Sequence, residues 1–547
     1  MKINVFSKTF FIVLFTLLVS YSSFSQHPII EWNKMLGGSK NDVANSIKQT
    51  NDGGYIIVGE TQSPEWDSLY NGGSSDAYVL KLDMSGNVKW KHTFGGTGWE
   101  AFNSVCQTSD NGYIVAGFTA SSDGDVTNNH DGFVDAWVIK LDTDGKMLWQ
   151  KCYGGSNSEY ANSIIQANDG GYVFVGSSDT DNNGDVSDHH GNEEHMDFWV
   201  VKLNGNGVLE WEKSLGGKDD EVGYDIQKTT DGGYIAVGYS ESNEDDVSVN
   251  KGFYDYWVVK LNSIGSIQWQ NTFGGSNMEQ AYSVQQTNDG GYIVAGDSYS
   301  NDSDVTDSHG GFYSDVWIVK LNAGGNKQWG KSYGGTSEDD SPCIIKSNDG
   351  GYIIISNSIS DDGDVSGIHG TKKDIWMIKL NDLGFIDWQE CIGSTGTETF
   401  KWATQTSEGG YIIAGSSDSN DSIFPGNHGL SDAWIVKLSS TVGMKQNDEL
   451  TTTTIKICPN PFFNSSNIEL QTNMEHLSSD TRLVIYDVMG RTVKTFGLND
   501  MNKVDMLSIN AFSVSISKND FNGNGLFYYT LYSNEQRIVN GKFVLLE

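Results

Sequence analysis

WNKMLGGSKNDVANSIKQTNDGGYIIVG, residues Trp32 to Gly59, holds little reactive chemistry, yet close variants of it return six more times before residue 440. Taking the acid of its "DGGY" turn as a marker gives positions 52, 110, 169, 231, 289, 349 and, as "EGGY", Glu408, with spacings of 58, 59, 62, 58, 60 and 59. A fixed period of this length denotes a repeat architecture in which each unit buries its faces only against its neighbours. Within a period four short runs recur, as in "AFNSVCQT", "GYIVAGFT", "DAWVIKLD" and "KMLWQKCYGG", bounded by Gly, Asp or Asn. Runs of this length and composition read as β-strands, four to a unit.

These strands are apolar on both faces, as a small sheet must be when another sheet covers each side. Seven such units predict an all-β fold, a seven-bladed β-propeller of four-stranded blades. The first copy opens on "IIEWNKML" and the last stops at "DAWIVKL". These ragged ends are expected to complete one blade between them, so that pairing of N- and C-terminal strands closes the ring and leaves no free sheet edge. Thirteen of the 16 tryptophans fall on the third and fourth strands of the units, where large rings pack between blades. A lysine recurs on every third strand, at 81, 140, 202, 260, 320, 379 and 437. A sevenfold lysine reads as architecture, an ion pair on a snorkelling stem, rather than as a catalytic amine.

At 547 residues the chain exceeds what one compact core supports, which agrees with a modular fold. Its formal charge of −36 argues against nucleic acid or anionic membranes as partners, since both are bound through Lys and Arg that displace counterions. Residues 1–25 read as a signal peptide, with Lys2 and Lys8, the apolar run "TFFIVLFTLLV" and small residues at Ser23 and Ser25. That run is too short for a transmembrane span, which takes about 20 residues. A secreted chain is therefore expected. The five cysteines form neither a metal-spacing cluster nor an even-numbered disulfide framework, and nothing in the chain calls for more than a monomer.

Alternation of loop ends puts the connections from second to third strand on the same face as the connections between blades. All length variation falls there, including "SSDTDNNGDVSDHHGNEEHMD" (Ser177 to Asp197), so this loop face is the candidate binding surface. Its loops share an acidic phrase ending in histidine, at His130, His190, His309 and His369, with Lys251 in the fourth unit and His428 one residue out of step in the seventh. A His/Asp pair repeated around a ring reads as a loop-pinning hydrogen bond. Asp179, Asp181, Asn183 and Asp185, with Gly184, approximate an oxygen-rich turn suited to Ca²⁺, though without the Glu at the twelfth position of the helical version. Trp66, Trp99 and Trp402 stand outside the repeat frame and are the candidate ligand-binding aromatics. No G-x-S-x-G, H-E-x-x-H or phosphate-cradling loop is present, so no catalytic residue is nominated.

The turn "KLDTDGKMLW", Lys140 to Trp149, and its siblings resemble the tryptophan docking repeat of quinoprotein dehydrogenases, which implies Trp wedged between blades. The adjacent-cysteine pair of those quinone sites has no counterpart here, and no cofactor is assigned. After residue 440 the grammar changes: residues 441–454 are a polar linker, and residues 455–547 alternate like half-buried strands, predicting a small immunoglobulin-like β-sandwich. This tail resembles the type A C-terminal sorting domain of type IX secretion system cargo in Bacteroidetes, through Pro459, Asn460, Pro461 and Phe462, Tyr486-Asp487 with Gly490-Arg491, and Gly541, Lys542, Phe543 and Val544. The resemblance implies the type IX machinery as a partner and a destination outside the cell or on the outer-membrane surface. The 26–440 ring also resembles secreted Bacteroidetes repeat proteins rich in "GDVSxxHG" and "DGGYIVxG". The function expected is non-enzymatic binding of an extracellular glycan or protein. The alternative is a secreted, endoglucanase-like glycoside hydrolase, which needs opposed carboxylates roughly 5 to 10 Å apart.

Overall fold

The computed structural model describes residues 28–440 and 453–545, apart from 67–72, 131–132, 193, 310–311, 348–349, 422–423, 459–464, 473–479, 487–490, 498–499, 507–508, 522–524 and 534–535. The signal-peptide reading of residues 1–25, most of the linker, and Pro459, Asn460 and Pro461 therefore lie outside the described residues. The chain divides into two compact units, Met1–Val442 and Gly443–Glu547.

The first unit is a ring of seven four-stranded antiparallel sheets. Blade 1 runs outward from the axis through Asp42–Gln49, Tyr55–Thr61, Asp76–Leu82 and Val88–Phe94. The innermost strands of blades 2 to 7 are Glu100–Gln107, Glu159–Gln166, Glu221–Lys228, Glu279–Gln286, Asp339–Lys346 and Glu398–Gln405. Blade 7 takes its outer strand, Ile30–Leu36, from the start of the chain. Ile30 pairs with Leu438 and Leu36 with Ala433. Ile29 and Ser439 add a reciprocal clasp, 3.0 Å from the Ile29 amide to Ser439 Oγ and 2.9 Å from the Ser439 amide to the Ile29 carbonyl. Seven blades with a shared last sheet are what the period and the ragged ends called for.

Packing explains the repeated residues. Every third strand is buried along its full length, and the cores lie between blades: Ala136 and Val138 of blade 2 share one cluster with Ile164, Phe174 and Trp199 of blade 3. Trp137, fully buried, stacks on Phe102 at 5.2 Å and donates its Nε1–H to Gln150 at 2.8 Å, so the large ring is buried with its polar atom satisfied. The fourth-strand tryptophans lie against glycines of the neighbouring blade. Gly145, at φ +81°, would place a Cβ 2.7 Å from the Trp90 ring, and Gly265, at φ +80°, 2.8 Å from Trp211. That glycine is needed twice, once for its left-handed turn and once for the close approach of the indole.

The sevenfold lysine ties the opposite, turn-bearing face. Lys81 Nζ lies 3.0 Å from Asp52 of the "DGGY" turn and 2.9 Å from the Leu82 carbonyl, and Lys140, Lys202, Lys260 and Lys320 repeat this with Asp110, Asp169, Asp231 and Asp289. In blade 7, Lys437 reaches Glu31 of the borrowed strand at 3.4 Å.

The second unit holds two four-stranded sheets. One contains Thr453–Cys458, Ser465–Thr472, Ile509–Ser517 and Asn502–Met506, the other Thr492–Gly497, Arg482–Tyr486, Gly525–Ser533 and Gln536–Leu545. Ile468 and Ile516 of the first share a core with Leu483, Ile485 and Leu531 of the second, so the two sheets pack face to face. Gly541, Lys542 and Phe543 are on the last strand, paired with Tyr529, Tyr528 and Phe527. Among the described residues Cys106, Cys152, Cys343 and Cys391 are free thiols, and no helix is long and apolar enough to cross a membrane.

Candidate functional site

Each innermost strand carries a bulge at its fourth residue, where the register to the second strand slips, as between Ala44 and Ser46 or Gly223 and Asp225. A bulge turns a side chain away from the regular pleat. Here the bulged residues line the central channel: Asn45, Asn103 and Asn162 in blades 1 to 3, Tyr224 and Tyr282 in blades 4 and 5, and Lys401 in blade 7. The asparagines hand the channel wall from blade to blade, donating to the carbonyls of Phe102 (3.1 Å), Ala161 (3.2 Å) and Gly223 (2.9 Å). The scaffold is sevenfold, but this lining is not.

Two adjoining cavities of about 450 and 510 Å³ occupy the channel and share Asn103, Asn162, Tyr224 and Trp402. Trp402 projects into both from the innermost strand of blade 7. Its ring carries Lys48 Nζ 4.9 Å from the centroid, and its buried Nε1 has no hydrogen-bond partner among the described residues. Below it, fully buried Asp225 accepts from Ser163 Oγ and the Val284 amide, each at 3.1 Å, and burial raises its carboxyl above the usual range.

The upper cavity opens on the loop face beside a cluster that occurs once among the described residues of the ring. Lys373 pairs with Asp340 and lies 3.5 Å from Glu338, and Asn357 donates to Asp340 at 2.8 Å. Asp297 is pushed up to about 8, by burial first and then by the charge of Asp340. Tyrosines continue this wall outward, Tyr224 with Tyr282 at 5.0 Å and Tyr239 with Tyr254 at 4.6 Å. Next to Tyr239, Glu241 is raised to about 7 by burial and then by Asp220 and Asp219. An apolar indole face, amide and hydroxyl groups, and a rim of carboxylates make a cavity suited to a polyhydroxylated ligand.

The three candidate tryptophans part company. Only Trp402 reaches the channel. Trp99 is 44% exposed on the loop face, edge-on to Phe118 at 4.7 Å, with Nε1 donating to Glu60 at 3.0 Å. Trp66 is 3% exposed, packed 4.7 Å from Tyr78, and offers no surface to a ligand. The acidic turn does not converge on one point either. Asp179 accepts from the Ser158 amide, Asp181 from Asn182 at 2.7 Å and Asn183 from the Ser156 amide at 2.9 Å, while Asp185 lies 3.8 Å from His130. Among the described residues no group of three or more His, Cys, Asp or Glu is arranged to hold a metal. The turn's polar side chains engage in closing the loop.

The loop histidines form straps between blades. His130 reaches Asp135 of its own blade at 2.8 Å and Asp185 of the next at 3.8 Å, and His309 likewise reaches Asp315 at 3.4 Å and Asp364 at 3.6 Å. In blade 4, Lys251 substitutes, pairing with Asp304 of blade 5. The valine of each "DV" phrase, Val126, Val186, Val247, Val305 and Val365, is buried beneath its loop.

Sequence reading missed Tyr224, Tyr282, Asp297, Asp340 and Lys373. Their signal was the failure of the repeat at those columns, against the recurrence of scaffold residues elsewhere. No protein-family model matches the chain, and no curated protein matches it. Among solved structures it is similar to a protein of unknown function from Dyadobacter fermentans (9% identity, 76% of this chain and 99% of that one, TM-score 0.39). It is also similar to a DUF4221-family member from Bacteroides vulgatus (10% identity, 76% and 99%, TM-score 0.34) and to a polysaccharide lyase (10% identity, 76% and 94%, TM-score 0.41).

Proposed function

We propose that the ring is a non-enzymatic binding module that takes the end of an extracellular glycan into the loop-face mouth of its central channel. The observation that carries this reading is Trp402, one indole set among Asn, Tyr and Ser side chains in the channel. A flat apolar face flanked by hydrogen-bonding groups matches a sugar ring, which is apolar on its C–H face and polar at its edge. Glycan-array screening followed by calorimetry on the best ligand tests it. Trp402→Ala is expected to weaken binding at least tenfold and Trp402→Phe much less, with circular dichroism unchanged. Equal affinity for wild type and Trp402→Ala, or capture of protein ligands only, defeats the reading.

The tail supports export through the type IX secretion machinery, resting on its sorting-domain resemblance and on the separateness of the second unit. The binding ring then acts outside the cell or at its surface. Deleting residues 455–547 is expected to abolish appearance of the protein in the medium and on the surface; normal export of the truncated chain removes the proposal.

A further inference from the structure

Where one blade hands over to the next, two fully buried carboxyl groups lie against the same glycine. One is the aspartate that opens the third strand of a blade: Asp135, Asp197, Asp255, Asp315, Asp374 and Asp432, all without measurable exposure. The other is the acid that opens the next blade's innermost strand, such as Glu159 or Asp339, equally buried. A Cβ on Gly334 would lie 2.5 Å from Asp315 Oδ1 and 2.6 Å from Asp339 Oδ2; one on Gly154 would lie 3.3 Å from Asp135 Oδ1 and collide with Glu159. The two oxygens thus converge on the same side of one glycine.

Their hydrogen bonds are unequal. Glu159 accepts from the Gly155 amide at 2.8 Å and from Ser178 Oγ at 2.9 Å. Asp135 Oδ2 accepts from the His130 amide at 3.0 Å and faces His130 Nδ1 at 2.8 Å. Oδ1 has no partner among the described residues, and the same atom is unpartnered in all six aspartates. A buried carboxylate oxygen without a donor is costly, and two adjacent anions double the problem. We propose that each of these junctions holds one proton shared between its two carboxyl groups, so that ring assembly takes up protons.

At two of the junctions the electrostatics agree. Burial raises Asp135, and Glu159 is pushed up to about 7 by burial, with the Asp135 charge adding to it. Asp255 is raised to about 7 by burial and by Glu279. Facing the Asp135–Glu159 pair are His130, Asp185, Cys152 and, beyond Asp185, Lys151. A carboxyl whose folded pKa lies above its unfolded value favours the folded state fully below the unfolded pKa, and that contribution fades as pH rises through the folded pKa. For these groups the window runs from about pH 4 to about pH 7.

Asp135→Asn in the full chain is the test, because its amide can donate to Glu159 where the shared proton sat while its oxygen still accepts from His130. Wild type is expected to lose melting temperature from pH 5 to about pH 7 and to level off above that. The variant is expected to melt about 2 °C above wild type at pH 8.5 and level with it at pH 5. His130→Gln should leave the wild-type pH trend in place, showing that the imidazole is not its source. Equal destabilisation of Asp135→Asn at both pH values overturns the proposal. So does a melting temperature that rises with calcium and falls with a chelator only while Asp135 is intact, which would put a cation in place of the proton. Should the variant not fold, infrared spectra of the wild type decide: absence of a protonated-carboxyl band at pH 6 is equally fatal.

Discussion

Trp66 does in blade 1 what two smaller choices do elsewhere. Five blades combine a third-strand tryptophan with the valine of a "DV" loop, as Trp199 with Val186. Blade 1 carries Tyr78 at the strand position and fills the remaining volume from the loop with Trp66, centroid to centroid 4.7 Å; blade 7 uses Phe424 on Trp434 at the same distance. Interiors pack near crystal density, so volume removed from one partner must be returned by the other. Trp66→Val is expected to cost about 3 kcal/mol in urea unfolding, and adding Tyr78→Trp to recover about 1 kcal/mol or more. Additive effects would contradict the exchange. At this scale sequence could flag three tryptophans as outside the repeat but not sort them, because burial depends on what a loop meets in space. Trp402, two residues beyond Phe400 in the innermost strand, is turned to the axis only by the bulge between them.

Strands and turns were the most legible elements, since each signal is local and repeated seven times. The lysine straps show why a recurring charge need not be functional. Asp289 is held down at about 2, by the Thr287 hydroxyl first and by Lys320. A depressed carboxylate adds stability above its unfolded pKa, and the addition is lost as pH falls through the folded value. With 54% of its side chain exposed, solvent screening keeps the effect small. Asp289→Asn should cost about 0.5 kcal/mol at pH 7, and the gap between variant and wild type should close by pH 2. A gap that persists there would assign the cost to lost geometry instead of lost charge. Less legible was the channel cluster: Asp297, Asp340 and Lys373 come from two blades and three different strand or loop positions, and no spacing in the chain joins them.

For the whole molecule, period, strand count and closure were readable because a ring of equal sheets leaves its number in the sequence. The channel lining was not, because the scaffold repeats whereas the lining changes from blade to blade. Closure also sets an order of events. Ile29 and Ser439, which clasp the seam, stand 410 positions apart. Strand Ile30–Leu36 is made before the rest of the ring, yet its partner is made only after all the other blades. During that interval it is an unmated edge of the kind that recruits stray chains. Sealing therefore waits on the last blade, and a chain cut short anywhere before Leu438 has no way to complete it. The seam makes closure of the ring conditional on synthesis through its seventh sheet, a condition written into which strand that sheet borrows.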